Sequence, residues 1–534
     1  MFQNGFWSTL FLLLLLIQTA VAREPKRAMV LVFDQMRPEY IERFQLPNFQ
    51  RAQRLGLNFD NAIVGHLESN TIISHPAITN GKLPKNMPWA SQVMKDAEGR
   101  LGPPGLFYTP FYMSHQQWFG LVSEVCGDTS IIARVKSRYP GPTLAVAQKE
   151  YAAINFGGPY ADTIVCLGDV LKSGPFKGHH SVGGENVPSY IAEPVGNRFY
   201  VDGVNKWGSQ AERYSLKGAG YVTGNDPFRP GGDAWVGDVV EQFMDHEPHW
   251  SVIMASFGSI DKISHCLAEH DAPTKAEWAL HHGIGLEDTL RKADMELGRI
   301  LDRLKSRGIL EETVIVITAD HGGQHCSTFL GRDRPGMYNE DSYWGKGANY
   351  AFLDDPHPAL VPLIKTGHLE AQTQHTMQLY WTYPMNDSER QKFEELLAQV
   401  PGVSEAYRKL PKGDGYEYKR VYRSPDLKGR ELAWAQAHAK TLADTMANLS
   451  APEYITTLFD NTGYSLIGSH GGTQELVQRI PMIVISPNLV RAGSRSKAFT
   501  RLVDVNPMIG EAMGLKKRTD LDGTARYLKP FLKF

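Results

Sequence analysis

Cysteine is scarce in this chain, and there is no excess of charge of either sign. The 4 cysteines among 534 residues could close at most two disulfides, and no two of them form a Cys-x-x-Cys pair, which excludes a cysteine-based zinc ribbon. Lys and Arg number 56 against 58 Asp and Glu, so the chain lacks the basic field that drives binding to a nucleic-acid duplex. An anionic substrate must therefore be bound by local groups.

Long apolar runs are also missing beyond the first 22 residues. Residues 10–17 form an unbroken apolar run, and the small residues Ala20, Val21 and Ala22 follow it. That run is too short to span a bilayer, and the small residues are typical of a cleavage site, so residues 1–22 are predicted to be a signal peptide. No later stretch reaches the roughly 18 apolar residues of a membrane span. The mature protein is therefore expected to be secreted or periplasmic, without a membrane span.

Short apolar segments rich in β-forming residues alternate with helical patterns along the chain. These segments are residues 27–33, 162–167, 250–256, 313–318 and 480–486. The alternation predicts an α/β fold in which helices cover both faces of a central, mostly parallel sheet. It fails in two intervals, which are interpreted as insertions. Residues 23–534 are thus predicted to be one domain with an insertion at about residues 86–145 and an inserted cap at about residues 326–465.

Acidic and histidine residues follow several of these segments, at the carboxyl ends where ligands bind in such sheets. Asp34 follows the first segment, and Asp320 and His321 follow the fourth. Asp261 and His265 lie four residues apart, one helical turn, so both side chains can reach one ion. Each of these residues alone is more often part of a turn or a helix cap, but together they indicate a metal centre.

Two further residues complete the set of candidates. Thr71 begins a segment that suits the N-terminus of a helix, a natural site for an anion. His470 lies late in the chain, in the sequence Gly-Ser-His-Gly-Gly. Five short segments therefore hold metal-ligand types or a hydroxyl nucleophile.

In order and spacing, these residues resemble the alkaline phosphatase superfamily, and most closely its type I phosphodiesterase/nucleotide pyrophosphatase branch. The resemblance rests on Thr-x-x-x-His-x-x-x-x-x-Gly from Thr71 to Gly81, Asp-x-x-x-His from Asp261, Asp-His-Gly from Asp320 and a late His-Gly at His470. It extends over about residues 27–515 apart from the insertions.

The resemblance implies two zinc ions and a threonine nucleophile. The ligands of one ion would be Asp261, His265 and His470, and those of the other Asp34, Asp320 and His321 with the Oγ atom of Thr71. Nitrogen and oxygen donors around an open position are typical of catalytic zinc. Coordination would activate Thr71 to attack phosphorus, and water would then hydrolyse a phosphothreonine intermediate.

The kind of phosphate ester depends on the substrate-binding residues. Some monoesterases of the superfamily carry a Lys-x-Arg pair, and this chain has Lys149 but Tyr151 in the arginine position. An asparagine that binds a phosphoryl oxygen in both branches is expected 21 positions after the nucleophile, where Gln92 stands, with Asn86 as the other candidate. Lys149, Gln92 and Asn86 are therefore expected to bind the substrate.

The favoured function is an exported phosphodiesterase or nucleotide pyrophosphatase that acts on a small phosphorylated substrate. Alternatives within the superfamily are a phosphomonoesterase (alkaline phosphatase) and a phosphonoacetate-hydrolase-like enzyme. A sulfatase is disfavoured because no cysteine begins a Cys-x-Pro-x-Arg motif. The alternative from another class, a non-catalytic metal- or anion-binding protein, would be expected to have lost a ligand or the nucleophile, and none of the matched positions is lost.

Overall fold

A computed structural model describes most of the chain after the predicted signal peptide. The described residues are 24–110, 113–166, 180–181, 188–192, 231–266, 286–325, 328–329, 360–373, 376–463 and 468–533. The predicted signal peptide, and residues 330–359 of the predicted cap, lie outside these ranges. No helix within the ranges is both long and apolar enough to cross a membrane.

The described ranges contain strands and helices in alternation. The strands are β1 (Arg27–Phe33), β2 (Leu57–Phe59), β3 (Met94–Lys95), β4 (Phe107–Tyr108), β5 (Thr143–Ala147), β6 (Thr163–Cys166), β7 (His180–Ser181), β8 (Val252–Phe257), β9 (Thr313–Thr318), β10 (Gln324–His325), β11 (Thr328–Phe329), β12 (Leu369–Thr373), β13 (Met377–Trp381), β14 (Val403–Lys412), β15 (Gly415–Arg423), β16 (Tyr454–Leu458), β17 (Thr462–Gly463), β18 (Gly468–Ser469), β19 (Met482–Ile485) and β20 (Ser494–Ser496). The helices are α1 (Tyr40–Arg43), α2 (Pro47–Leu55), α3 (Thr71–Asn80), α4 (His115–Cys126), α5 (Ile131–Arg138), α6 (Glu150–Gly157), α7 (Ser189–Ala192), α8 (Gly231–His246), α9 (Ser259–Cys266), α10 (Leu286–Ser306), α11 (Val361–Lys365), α12 (Asp387–Leu397), α13 (Gly429–Asp444), α14 (Glu475–Gln478) and α15 (Val505–Ala512).

A central sheet of nine strands organises the molecule. Its order is β20-β2-β19-β9-β1-β8-β5-β6-β7, and the strands from β9 to β6 are parallel to one another. The middle strand β1 pairs with β8 and β9 in the same register, since Ala28 lies opposite both Val252 and Val314. The carboxyl ends of these strands therefore meet at one edge, and the predicted mostly parallel α/β fold is confirmed.

The middle strand is buried on both faces. Residues 28–33 are 0% exposed, and successive side chains of a strand point to opposite faces. Helices α3 and α6 pack together, and so do α2 and α10. Asp294 of α10 joins the second pair, because its Oδ1 accepts hydrogen bonds from the backbone N–H groups of Asn48 and Phe49 at 2.9 and 2.8 Å. An apolar run such as β1 is stable only when helices cover both of its faces.

Strand β19 departs from the series of parallel strands that the apolar segments predicted. It runs antiparallel to β9, with Met482 opposite Thr318. The chain leaves the sheet at the carboxyl end of β9 and returns at that same end, next to His470. Strand β19 therefore starts at the edge where β9 ends and runs back along it, since no crossover connection brings the chain to the opposite edge.

A second sheet lies within the interval predicted to be a cap. Its order is β12-β13-β16-β14-β15, and its paired strands are antiparallel. Tyr407 and Tyr418 of this sheet share an apolar cluster with Leu67 and Ala90, which lie on either side of helix α3 in sequence. The second sheet therefore contacts the segments that flank Thr71.

The central sheet resumes close to the predicted end of the other insertion, at about residue 145. Residues 86–145 were expected to lie outside the central sheet, but β5 begins at Thr143 and pairs with β8 and β6. The sequence of β5 is Thr-Leu-Ala-Val-Ala. Alanine has a weak preference for strands, so the start of this strand was hard to recognise.

Candidate active site

Asp34, Asp320 and His321 come together at the carboxyl ends of two neighbouring strands. Asp34 directly follows β1, Asp320 follows β9 after one alanine, and these strands pair in parallel with Val32 opposite Thr318. His321 Nε2 lies 3.3 Å from Asp34 Oδ1 and 3.5 Å from Asp320 Oδ2. All three side chains are 0% exposed. We call these three residues cluster A.

The atoms of cluster A that face one another lack hydrogen-bond partners. Asp34 Oδ1, Asp320 Oδ2 and His321 Nε2 are buried without a partner among the described residues. The opposite atoms are bound, since Asp320 Oδ1 accepts from the backbone N–H groups of Gln35 (3.2 Å) and His321 (3.0 Å), and His321 Nδ1 lies 2.9 Å from the Gly322 oxygen. Donation from Nδ1 to that carbonyl leaves Nε2 with a free lone pair. Because buried polar atoms are normally paired, this convergence fits a metal ion.

A second set of potential ligands lies beside the first and shares His321 with it. Asp261, His321 and His470, which we call cluster B, offer ligand atoms that lie within 4.8 Å of one another. His470 Nε2 is 3.5 Å from Asp261 Oδ1, and the rings of His470 and His321 stack with centroids 3.8 Å apart. His470 Nδ1 lies 3.1 Å from the Ser69 oxygen, which orients its ring.

His265 was predicted to accompany Asp261 and His470. Its backbone lies in α9 one turn after Asp261, but its side chain is outside what the structure describes. The geometry adds His321 to this set. The sequence motifs had assigned His321 only to the ion of cluster A.

Thr71 is the first residue of helix α3, next to both clusters. The N-cap residue Asn70 accepts a hydrogen bond from the Ile73 N–H group at 3.2 Å, which starts the helix at this point. Thr71 Oγ1 lies 3.4 Å from Asp34 Oδ2. The first N–H groups of a ten-residue helix favour an anion at this end.

Lys149 reaches into the same place from the residue before α6. Its Nζ lies 2.6 Å from Asp34 Oδ2, 2.7 Å from Asp261 Oδ2 and 3.0 Å from Thr71 Oγ1. Burial, with Asp261 and Asp320 nearby, raises the pKa of Asp34 well above its usual value. Lys149 can balance only one of the three carboxylate charges, so the site favours additional cations.

The two other predicted substrate-binding residues make no hydrogen bond to Thr71 among the described residues. Asn86 is exposed, and its amide donates to both carboxylate oxygens of Asp522 at 2.9 and 2.8 Å. It follows the carboxyl end of α3, a helix roughly 15 Å long, whereas Thr71 begins that helix. Gln92 is buried, but no hydrogen bond within the described residues joins it to Thr71 or to either cluster.

Sequence motifs did not identify Gln35 or assign contacts to His75. Gln35 follows Asp34 with a positive φ of 63° and binds Asp320 through its N–H group. His75, which follows Thr71 by one turn, lies 2.9 Å from both the Thr71 oxygen and Ser256 Oγ, and burial lowers its pKa to about 4. His75 therefore anchors α3 to β8 as a neutral ring.

Comparisons with known proteins agree with this geometry. A family model described as type I phosphodiesterase/nucleotide pyrophosphatase matches residues 188–473, more than half of the chain. No curated protein matches the sequence.

Solved structures with the same fold cover nearly the whole chain. A mutant of alkaline phosphatase PafA has a TM-score of 0.62 at 14% identity, over 96% of this chain and 99% of that one. Wild-type PafA has a TM-score of 0.61 at 14% identity, over 94% and 98%. Murine ectonucleotide pyrophosphatase/phosphodiesterase 5, inactive and in complex with AMP, has a TM-score of 0.53 at 13% identity, over 95% and 100%.

The family match covers His265, Asp320, His321 and His470, and the fold comparisons cover 94–96% of this chain. This chain therefore belongs to the type I phosphodiesterase/nucleotide pyrophosphatase family and is a phosphoester hydrolase of the alkaline phosphatase superfamily.

Proposed function

We propose that this protein hydrolyses small phosphate esters with Thr71 as the nucleophile and two zinc ions as cofactors. The observation that carries the proposal is the convergence of three unpaired, buried ligand atoms beside the Thr71 hydroxyl. Cluster A would hold one ion, with Thr71 Oγ. Asp261, His470 and His265 would hold the other, with His321 at the border of the two. Imidazole and carboxylate donors suit zinc.

Two bound divalent ions would lower the pKa of the Thr71 hydroxyl and balance the charge of the phosphoryl oxygens. Residues of the protein carry out the other parts of the reaction. Thr71 Oγ gives its proton to solvent and forms a bond to phosphorus, while the bond from phosphorus to the leaving oxygen breaks and that oxygen takes up a proton from solvent. Water then cleaves the phosphothreonine bond, which releases the phosphate product and restores the hydroxyl.

Helix α3 and Lys149 hold the phosphoryl group during both steps. The N-terminal N–H groups of α3 attract its negative oxygens. The Lys149 ammonium, 3.0 Å from the nucleophile, lies within reach of an oxygen of the phosphothreonine.

Phosphodiester or nucleotide pyrophosphate hydrolysis is the favoured activity, on the strength of the family match. The second candidate is phosphomonoester hydrolysis. Lys149 supports this candidate, because a second negative charge on a monoester benefits from a cation beside the nucleophile.

The proposal also includes export of the protein and a cap over its active site. Residues 1–22 would be removed as a signal peptide, and the mature enzyme would act outside the cytoplasm. The second sheet, together with the remainder of residues 326–465, would form a cap over the phosphate site. Its contacts with the segments that flank Thr71 support this arrangement.

A panel of three substrates tests the activity. Zinc-loaded protein should hydrolyse nitrophenyl phosphate, bis-nitrophenyl phosphate or thymidine nitrophenyl phosphate, and the ratio of the rates distinguishes monoesterase from diesterase. Thr71→Ala should lower turnover by roughly 1,000-fold or more, while Thr519→Ala, at an exposed threonine, should not. Inactivity of the zinc-loaded protein on all three esters would favour a non-catalytic binding protein.

A further inference from the structure

Gln35 occupies a backbone conformation that a glutamine seldom adopts. It is the third residue of the turn at residues 33–36, which the Met36 N–H group closes on the Phe33 oxygen at 3.0 Å. Its φ is 63°, in the left-handed region that glycine and asparagine prefer. A strained residue persists only where its surroundings enforce it, and such residues concentrate at functional sites.

The backbone of Gln35 serves cluster A. Its N–H group donates to Asp320 Oδ1 at 3.2 Å, beside the His321 N–H group at 3.0 Å. These two donors hold one carboxylate oxygen and leave Asp320 Oδ2 directed at His321 Nε2, 3.5 Å away. The turn after β1 thus orients a predicted ligand that lies 285 residues later in the chain.

The side chain of Gln35 serves cluster B. With its amide in the orientation that the neighbouring groups require, Nε2 donates to the main-chain oxygen and to Oδ1 of Asp261, both at 3.3 Å. Gln35 is 2% exposed, and a Cβ atom at Gly323 would lie only 2.1 Å from the other terminal atom of the amide, which is the oxygen in this orientation. The glycine after His321-Gly322 therefore leaves room for this amide.

We propose that Gln35 is a positioning residue that contacts both metal clusters, each through a different group. Its backbone orients Asp320 in cluster A, and its amide orients Asp261 in cluster B. A glycine would satisfy the turn with less strain, and the glutamine that stands here binds Asp261 through its amide. This inference rests on the proposed two-metal function.

Two substitutions separate the amide from the backbone. Gln35→Met keeps the length of the side chain and the strain of a non-glycine residue at positive φ, but it removes the amide N–H donor. Gln35→Gly removes the donor and relaxes the turn. Gln45→Gly is the matched control, because Gln45 is also a glutamine with positive φ (50°) but is exposed and outside the site.

Zn²⁺ titration in competition with a chromophoric chelator measures the two affinities. Wild type and Gln45→Gly should bind two ions. Both Gln35 variants should bind one ion with wild-type affinity and the other about 10- to 100-fold more weakly, as expected when a ligand loses its supporting hydrogen bond. In a protein that already carries Asp261→Asn, the further substitution Gln35→Met should change the affinity for zinc by less than about twofold.

A purely structural role would give a different result. It would lower the affinities for both ions equally and lower the unfolding midpoint of the metal-free protein. This outcome would overturn the proposal. Unchanged affinities in both Gln35 variants would also overturn it, while two ions in the wild type would keep the proposed function. A wild-type protein that binds no zinc would overturn both.

Discussion

Lys149 contributes a positive charge that lies against the Thr71 hydroxyl and two carboxylates. Its Nζ is 3.0 Å from Thr71 Oγ1, and Asp261 and Asp34 outweigh the effect of burial and raise its pKa well above the usual value. The side chain is therefore protonated at neutral pH. An ammonium at this place should distinguish esters by their charge.

Lys149→Ala should lower kcat/KM for phosphate monoesters by about 10- to 100-fold, which corresponds to the loss of one hydrogen bond to a charged group. Diesters should lose less than about fivefold, because they carry one negative charge fewer. Steady-state kinetics with nitrophenyl phosphate and its diester measure the two losses. Lys85→Ala, at an exposed lysine, is the control. Equal losses on both esters would contradict a role in charge recognition.

Glu68 is a buried carboxyl group that joins the second sheet to the start of α3. It accepts hydrogen bonds from Thr376 Oγ1 and, at 3.5 Å, from the amide of Asn70, the N-cap residue of α3. Burial raises its pKa from 4.5 to about 7. The folded protein therefore favours the protonated form more than the unfolded chain does.

Glu68→Gln should change how the free energy of unfolding depends on pH. A carboxyl with a raised pKa stabilises the folded state fully below its unfolded pKa and loses this contribution as the pH rises through about 7. Relative to the variant, the wild type should lose on the order of 3 kcal/mol between about pH 4 and about pH 8. Urea unfolding of metal-free protein at both pH values measures the loss. Glu311→Gln, at an exposed glutamate, is the control, and its free energy of unfolding should depend on pH in the same way as that of the wild type.

The loop after β9 depends on the close approach of two backbones. The Gly322 N–H group donates to the Val477 oxygen at 2.8 Å, and a Cβ atom at Gly322 would lie 2.2 Å from the Leu476 oxygen. Helix α14 thus fixes the position of the residue that follows His321. Any side chain here would push the loop, and with it the imidazole shared by both clusters, away from α14.

Gly322→Ala should therefore destabilise the protein by about 1–3 kcal/mol and lower its affinity for zinc. Gly120→Ala provides the contrast, because Gly120 is an exposed residue within α4 and a Cβ atom there would meet nothing within 4 Å. It should stabilise the protein by up to about 1 kcal/mol. Thermal unfolding and zinc titration of the two variants measure these effects. A neutral Gly322→Ala would show that the loop can move without cost.

The candidate metal ligands span almost the whole chain, from Asp34 to His470. They join the first strand of the central sheet, helix α9 and the loop that returns from the second sheet. Ions bound there would therefore connect elements that are far apart in sequence. Unfolding would have to release them.

Removal of metal with EDTA should lower the unfolding midpoint, and added Zn²⁺ should restore it. An ion present at about 100 times its dissociation constant stabilises the folded state by about 2.7 kcal/mol, which corresponds to several degrees. Mg²⁺ should not restore the midpoint, because it prefers sites with only oxygen ligands. Differential scanning calorimetry measures the midpoints. Identical midpoints with and without EDTA would argue against a metal that binds the folded protein.

Much of the fold could be predicted from local patterns. Apolar runs such as that of β1 are visible in sequence because buried strands need apolar side chains on both faces. Asp34 and Asp320 were recognisable as candidates because each follows such a run. Strand β5, with two alanines, and the direction of β19 were not recognisable, since these depend on the neighbours that each strand meets.

Substrate-binding candidates were harder to predict than metal-ligand candidates. Lys149 contacts the Thr71 hydroxyl, whereas Asn86 binds Asp522 at the other end of α3. The place of Asn86 depends on the path that the chain takes after α3, which local patterns do not give. Gln35 carries no motif of its own, because its role depends on a positive φ and on two partners far along the chain.

The order of residues alone determined that strands and helices alternate and that carboxylates and imidazoles follow the strands. These features are local, since each depends on a few consecutive side chains. Only the tertiary structure decided that His321 faces both clusters, that Lys149 touches Thr71 and that β19 runs backwards. Distances between residues hundreds of positions apart result from strand pairing and loop paths, which no short stretch of sequence contains.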